Sequence, residues 1–182
     1  MAKIDCSGAD GIVSALKTLG KETPKVCKMA LYKGAGVLLD QLRAATEALP
    51  TEPFHPLPGA PNGGEPLNVL TEDDKEDLLD GLGLAPFDDT GDGCSTAASF
   101  DGYSRHKTKK YPNGVPLPLI ARSINSGSSA RRKNPFIRRT VTAAEAPVQE
   151  AMENEVAAQV ESIQQTGRLR PLEDGGGKNR RA

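Results

Sequence analysis

Two runs of apolar residues at helical spacing, one towards each end of the chain, limit what it can fold into. In the first, Val26, Ala30, Gly34, Leu38, Leu42, Ala45 and Leu49 recur at steps of three or four and stop at Pro50. In the second, Val141, Ala144, Val148, Met152, Val156, Val160 and Ile163 do the same. A stripe of that period lies along one face of an α-helix, and that face needs a cover. The first run has Thr23 as a plausible N-cap and Pro24 at the first helical position. Ahead of it, a short strand and a short helix are expected, the helix opening at Asp10 on Ile12, Val13, Leu16 and Leu19 and closing at Gly20. Gly34 and Gly36 each cost a helix about 1 kcal/mol relative to Ala, which points to another backbone approaching closely there. The second run starts well at Asn134 and Pro135, and Pro147 predicts a kink or a fresh helix start.

Between the stripes the sequence changes character. Residues 50–66 are a loop by composition, crowded with proline and glycine. Thr71 followed by Asp74 outlines a capping box for an acidic helix on Leu78, Leu79 and Leu82, ended by Gly83. Cys94 to Tyr103 alternates weakly and reads as a strand. Pro112-Asn113-Gly114 is a turn, so a long β-hairpin with Lys107, Lys109 and Lys110 at its tip is expected. The resulting expectation is α+β: long N-terminal and C-terminal helices packed on a small antiparallel sheet, with a projecting loop or hairpin. One domain spans residues 1–165, with 50–92 as an insertion, and 166–182 is a flexible C-terminal tail.

This chain of 182 residues has no Trp, three Tyr and four Phe, against 19 Gly and 14 Pro. Aromatic rings normally supply much of the buried area, so the core is expected to be small and neighbouring subunits to add stability. The formal net charge of −1 hides strong segregation. Glu65 to Asp92 holds ten acids against Lys75 alone, and Gly102 to Ala144 holds ten bases and no acid. Such blocks pair within a subunit, between subunits, or with separate partners. Cys6, Cys27 and Cys94 are odd in number and widely spaced, which argues against a disulfide framework and against zinc. They read as free thiols in a reducing cytoplasm. No stretch approaches the roughly 20 apolar residues that span a bilayer.

The sequence offers little to catalysis. His55 lies in the proline-rich loop and His106 in a lysine-rich turn, neither beside a nucleophile at a recognisable spacing. The run Asp88 to Gly93 lacks the alternating oxygen ligands and the twelfth-position Glu of a calcium loop. No glycine run is followed by the Lys-Ser/Thr of a phosphate loop. No enzyme, cofactor or metal site is expected. The basic stretch around Arg122, Arg131, Arg132, Lys133, Arg138 and Arg139 matches no helix-turn-helix, zinc finger or RNA-binding sheet. Composition leaves it open between a phosphate-binding surface and one that bridges subunits.

The segment from Ile120 to Val141, followed by a long amphipathic helix, resembles a family of small tail-component proteins of long-tailed bacteriophages. These are the lambdoid neck and tail-completion proteins, related to the minor tail protein Z group. Their pattern runs from an Ala through Glu-aromatic-Gly-Thr-Ser and a short basic or polar stretch to Pro-Phe-Leu-Arg-Pro and the last helix. Asn125, Ser126, Gly127 and Ser128 stand at the first motif, and Pro135, Phe136, Ile137 and Arg138 at the second. The opening, Ile4 to Gly20, also looks like the family's start. Asn125 replaces the usual Glu, Ser126 an aromatic, and Arg139 a common second Pro; the resemblance covers about two thirds of the chain.

The resemblance implies a non-enzymatic virion protein, made in the host cytoplasm. It would form a homo-oligomeric ring at the head–tail neck, completing the tail end and joining tail to head. Implied partners are head-closure or connector proteins, tail tube or terminator proteins, and DNA passing through the neck. A tail terminator capping the tube is the alternative within the particle, and a DNA-binding accessory protein using residues 105–139 the alternative of another class. Gly127 would supply positive φ in a tight turn, and Phe136 would anchor the last helix. Arg122, Arg131, Arg132, Lys133, Arg138 and Arg139, against Asp73, Asp74 and Asp77, are the expected interface groups. Charge reversal at Arg131 and Arg132 is expected to block assembly without unfolding the monomer.

Overall fold

The computed structural model describes residues 9–54, 64, 67, 70–89, 94–129 and 131–171. Among them the chain is α+β, in the order α1 (Ala9–Glu47), α2 (Glu72–Gly81), β1 (Leu82–Leu84), β2 (Asp88–Asp89), β3 (Cys94–Ser95), β4 (Ala98–Phe100), α3 (Leu117–Ser126) and α4 (Phe136–Thr166). The strands form two antiparallel pairs, β1 with β4 and β2 with β3. The residues fall into two compact units, and each long helix contributes to both. The strand expected at the N-terminus, Cys6, His55, most of the 50–66 loop and residues 172–182 lie outside the described residues.

The first unit comprises residues 37–85 and 97–145. Its core gathers Leu42 and Leu49 from the first stripe, Leu78 from α2, Leu82 and Phe100 from the β1–β4 pair, Leu117, Ile120, Ala121 and Ile124 from α3, and Phe136 from the start of α4. Leu82 stands opposite Phe100 in the ladder, so one pairing buries two of the largest groups. The N-cap half of the expected box forms, the Thr71 hydroxyl accepting from the Asp74 amide at 3.2 Å, while the Asp74 carboxylate turns to Arg131. Glycine ends this helix at Gly81, two residues earlier than expected, and Gly83 lies in β1. A side chain at 81 would meet the Asp101 carbonyl and Leu117 Cδ1, each at 2.3 Å, so close packing selects the glycine.

The strand expected over Cys94–Tyr103 is split. Ala98–Phe100 pairs upstream with Leu82–Leu84, and Cys94–Ser95 pairs with Asp88–Asp89, rather than with the basic segment downstream. The physical reason is side-chain burial: Leu82 shares a core with Phe100, whereas residues 105–110 are all polar. The downstream segment still turns back on itself. Ser104 donates to Val115 at 2.8 Å, Thr108 and Tyr111 exchange two bonds of 3.0 Å, and Gly114 closes the Tyr111–Gly114 turn. The result is an irregular hairpin with one bridge, Tyr103 to Pro116.

The second unit holds residues up to 36, 86–96 and from 146 onward. Here α1 does not break at Gly20 and restart at Thr23; it runs through with Pro24 inside. Proline leaves the Gly20 carbonyl without its helical donor, but Gly20 is exposed, so water can satisfy it. The Thr23 hydroxyl bonds back to the Leu19 carbonyl at 2.7 Å instead of capping. Gly34 is where α1 is approached: an added Cβ would lie 2.6 Å from Met152 Cγ and 3.2 Å from Val148 Cγ1 of α4. Gly36 has open space around it, and at Gly34 the neighbours are side chains, so neither glycine meets the backbone expected there; Gly34 instead makes room for Met152 and Val148.

The second helix likewise continues through Pro147, which is exposed. Its buried line departs from the expected stripe. Val141 and Val156 are exposed, while Glu155 and Gln159 are buried. The reason is a return of the chain: Gln159 exchanges hydrogen bonds with the Arg170 backbone, at 2.9 and 3.1 Å, and also donates to Glu155 at 2.7 Å. Gly167, at φ +69°, makes the turn that brings residues 168–170 back.

Candidate assembly interface

The basic stretch is built on α3, a helix the charge pattern conceals. Leu117, Ile120, Ala121 and Ile124 fall at i, i+3, i+4 and i+7 and are all buried, which leaves Leu119 and Arg122 facing out. The prolines beside its start suit it, since the first turn needs no intrahelical donors. Gly127 ends it at φ +80° and ψ +158°, a conformation open in practice to glycine alone.

From there the connector is fastened at each step. Ser128 and Arg131 close a turn through two bonds, of 2.9 and 3.1 Å. Arg132 donates its amide to Leu67 at 2.8 Å, and Asn134 donates back to Ile124 at 2.7 Å. The Asn125 side chain accepts from the Arg138 amide at 3.2 Å, serving one of the orphan donors at the start of α4. Arg139 reaches the Asn134 side chain at 2.5 Å. Pro135 immediately precedes α4, and Phe136, 3% exposed, plants its first residue against Phe100 with ring centroids 6.4 Å apart.

The expected interface charges divide into two groups. Arg131 turns inward and pairs with Asp74 on α2, with only 13% and 4% of their side chains exposed. This changes the expectation for Arg131: reversing its charge would strand a buried carboxylate and attack the fold itself. Asp77 and Asp73 face Arg105 at the root of the hairpin, at 3.0 and 3.3 Å, and Glu76 joins them at 3.0 Å. The Arg105 guanidinium is pushed above the ordinary arginine range, first by its hydrogen bond to Asp77. The three aspartates therefore have partners within the chain. Arg122, Lys133 and Arg138 are exposed and have no acidic partner among the described residues, and Arg132 and Arg139 are exposed beside them in sequence.

Two features escaped the sequence reading. One is α3, whose 3-1-3 apolar spacing starts beside Pro116 and Pro118. The other is the stacking of Phe54 on His106, with ring centroids 6.0 Å apart, which joins positions 52 residues apart in sequence and left no local signal.

A crevice of about 10 Å³ beside Arg131, lined by Leu49, Leu70, Ile124 and Asn134 among others, has room for about one water. Among the described residues no His, Cys, Asp or Glu cluster could hold a metal ion, and no helix is long and apolar enough to cross a membrane. No protein-family model, curated protein or solved structure matches the chain.

Proposed function

We propose that this chain is a structural virion protein of a tailed phage. It forms a ring at the head–tail neck, completes the tail end and joins tail to head without catalysis. The observation that carries the reading is the anchored junction between α3 and α4. Gly127, Asn125, Asn134 and Phe136 hold it in place, while Arg122, Lys133 and Arg138 are exposed with no acidic partner among the described residues. A rigid support with unpaired cations suits a surface that finds its counter-charges on a neighbour, because little ordering remains to be paid on binding. The motif resemblance supplies the station: the same junction is where the phage tail-component pattern falls.

The test is a double reversal, Arg122→Glu with Arg138→Glu, in a phage that encodes the chain. The variant protein should keep its helical content and melting temperature and yield unjoined heads and tails. Normal yields of joined particles from this variant would remove the interface assignment.

A further inference from the structure

The hairpin of residues 103–116 carries chemistry that the neck reading does not use. Its root is clamped, with the Arg105 side chain spread over Asp73, Glu76 and Asp77 and the Arg105 amide donating to Asp77 at 2.8 Å. Beyond the clamp, Lys107, Lys109 and Lys110 are all exposed. Lys107 and Lys109 have no acidic partner among the described residues, and Lys110 lies 5.4 Å from the centre of the Tyr111 ring. Large aromatic side chains are also exposed on this hairpin and against it. Tyr103 at the base of the hairpin and Phe54, which stacks on His106, are each 63% exposed. Of the seven aromatic residues of this chain (three Tyr and four Phe), Tyr103 and Tyr111 sit on this hairpin and Phe54 stacks against it.

We infer that this hairpin is a binding arm for single-stranded nucleic acid: the lysines meet the phosphates, and Tyr103 and Phe54 stack unpaired bases. Lysines alone would suit any polyanion, and an acidic protein surface would leave the open rings without a role. Aromatic faces interleaved with cations are what a flexible strand with exposed bases rewards. The clamp at Arg105 holds the root in place before binding, which lowers the ordering cost. The inference is independent of the ring, since a lone subunit carries the whole arm.

The test is fluorescence anisotropy of a labelled oligothymidine with the full-length protein, with a duplex of the same length and polyglutamate as competitors. Three phosphate contacts give a slope of about −2 in log affinity against log salt, so affinity should fall about 20-fold between about 50 and about 200 mM salt. Replacing Lys107, Lys109 and Lys110 by Ala should remove most of that slope. The pair Tyr103→Ala and Phe54→Ala should weaken the oligothymidine about tenfold or more and leave the slope in place. The arm is refuted by an absence of salt-dependent binding, by duplex binding as tightly as the single strand, or by equal competition from polyglutamate. It is refuted equally if binding survives the lysine changes and is lost in an Arg122→Ala, Lys133→Ala, Arg138→Ala variant.

Discussion

At the scale of single residues, the same side-chain type does opposite work a few positions apart. Arg131 is a folding residue, because its partner Asp74 is only 4% exposed and needs a countercharge. Arg131→Ala should cost about 3–5 kcal/mol in urea unfolding, whereas the joint change of Arg131→Met and Asp74→Leu should cost much less, since no charge is then left stranded. Equal losses from the single and joint changes would show that the pair is not the reason for the cost. Gly127 offers a second check. At φ +80° and ψ +158°, with Lys133 Cβ 3.1 Å from any added Cβ, Gly127→Ala should lose about 1–3 kcal/mol. The Arg105 clamp is of another kind: it is exposed, so screening keeps its contribution small. Its arginine has a raised pKa, so its contribution is present below the arginine range and would fade only above it. Titration of Arg105 therefore brings no pH dependence near neutrality. The positive φ of Gly127 is what the motif resemblance implies, but the division among the bases is not legible in the sequence, where all ten of residues 102–144 look alike. Burial and partner choice separate them, and both depend on contacts between distant positions.

At the scale of elements, the two long helices are legible because an apolar period carried by seven residues outweighs local breakers. Pro24 marks a helix start by sequence and Pro147 a kink or a fresh start, yet α1 and α4 each run through their proline without a break. Each proline is exposed, so the carbonyl that loses its donor can turn to water, and packing on either side holds the helix together. The second stripe is buried or half-buried except at Val141 and Val156, and the return of Arg170 onto Gln159 adds buried polar groups that periodicity assigns to solvent. The short helix α3 carries its signal in the spacing of Leu117, Ile120, Ala121 and Ile124, which the surrounding prolines and charges obscure. The two glycines of α1 separate packing from propensity. Gly36→Ala should stabilise the protein by about 0.5–1 kcal/mol, since nothing lies within 4 Å of the new methyl group. Gly34→Ala should destabilise it, and Met152→Ala should recover part of that loss. Thermal melts of the three variants check this, and a Gly34→Ala melt above that of the parent would contradict the close approach of Met152.

At the scale of the whole molecule, charge segregation sets the account. The structure neutralises much of the acidic block internally, with Arg131 on Asp74 and Arg105 on Asp73, Glu76 and Asp77. What remains outward on the α3–α4 junction is positive, held on a support fixed by Phe136 and Asn125. The proposal that this surface joins subunits in a neck ring predicts a dependence on salt. Self-association of the purified protein, followed by sedimentation velocity, should weaken as ionic strength rises through the physiological range. Association that strengthens with salt would mean that apolar surface, such as exposed Val156, drives it instead. The most direct test is electron microscopy of lysates from a tailed phage deleted for this gene, with the purified protein added back. The account predicts full heads beside separate, normal-length tails, and joined particles once the protein is supplied. Normally joined particles in the deletion lysate would contradict it.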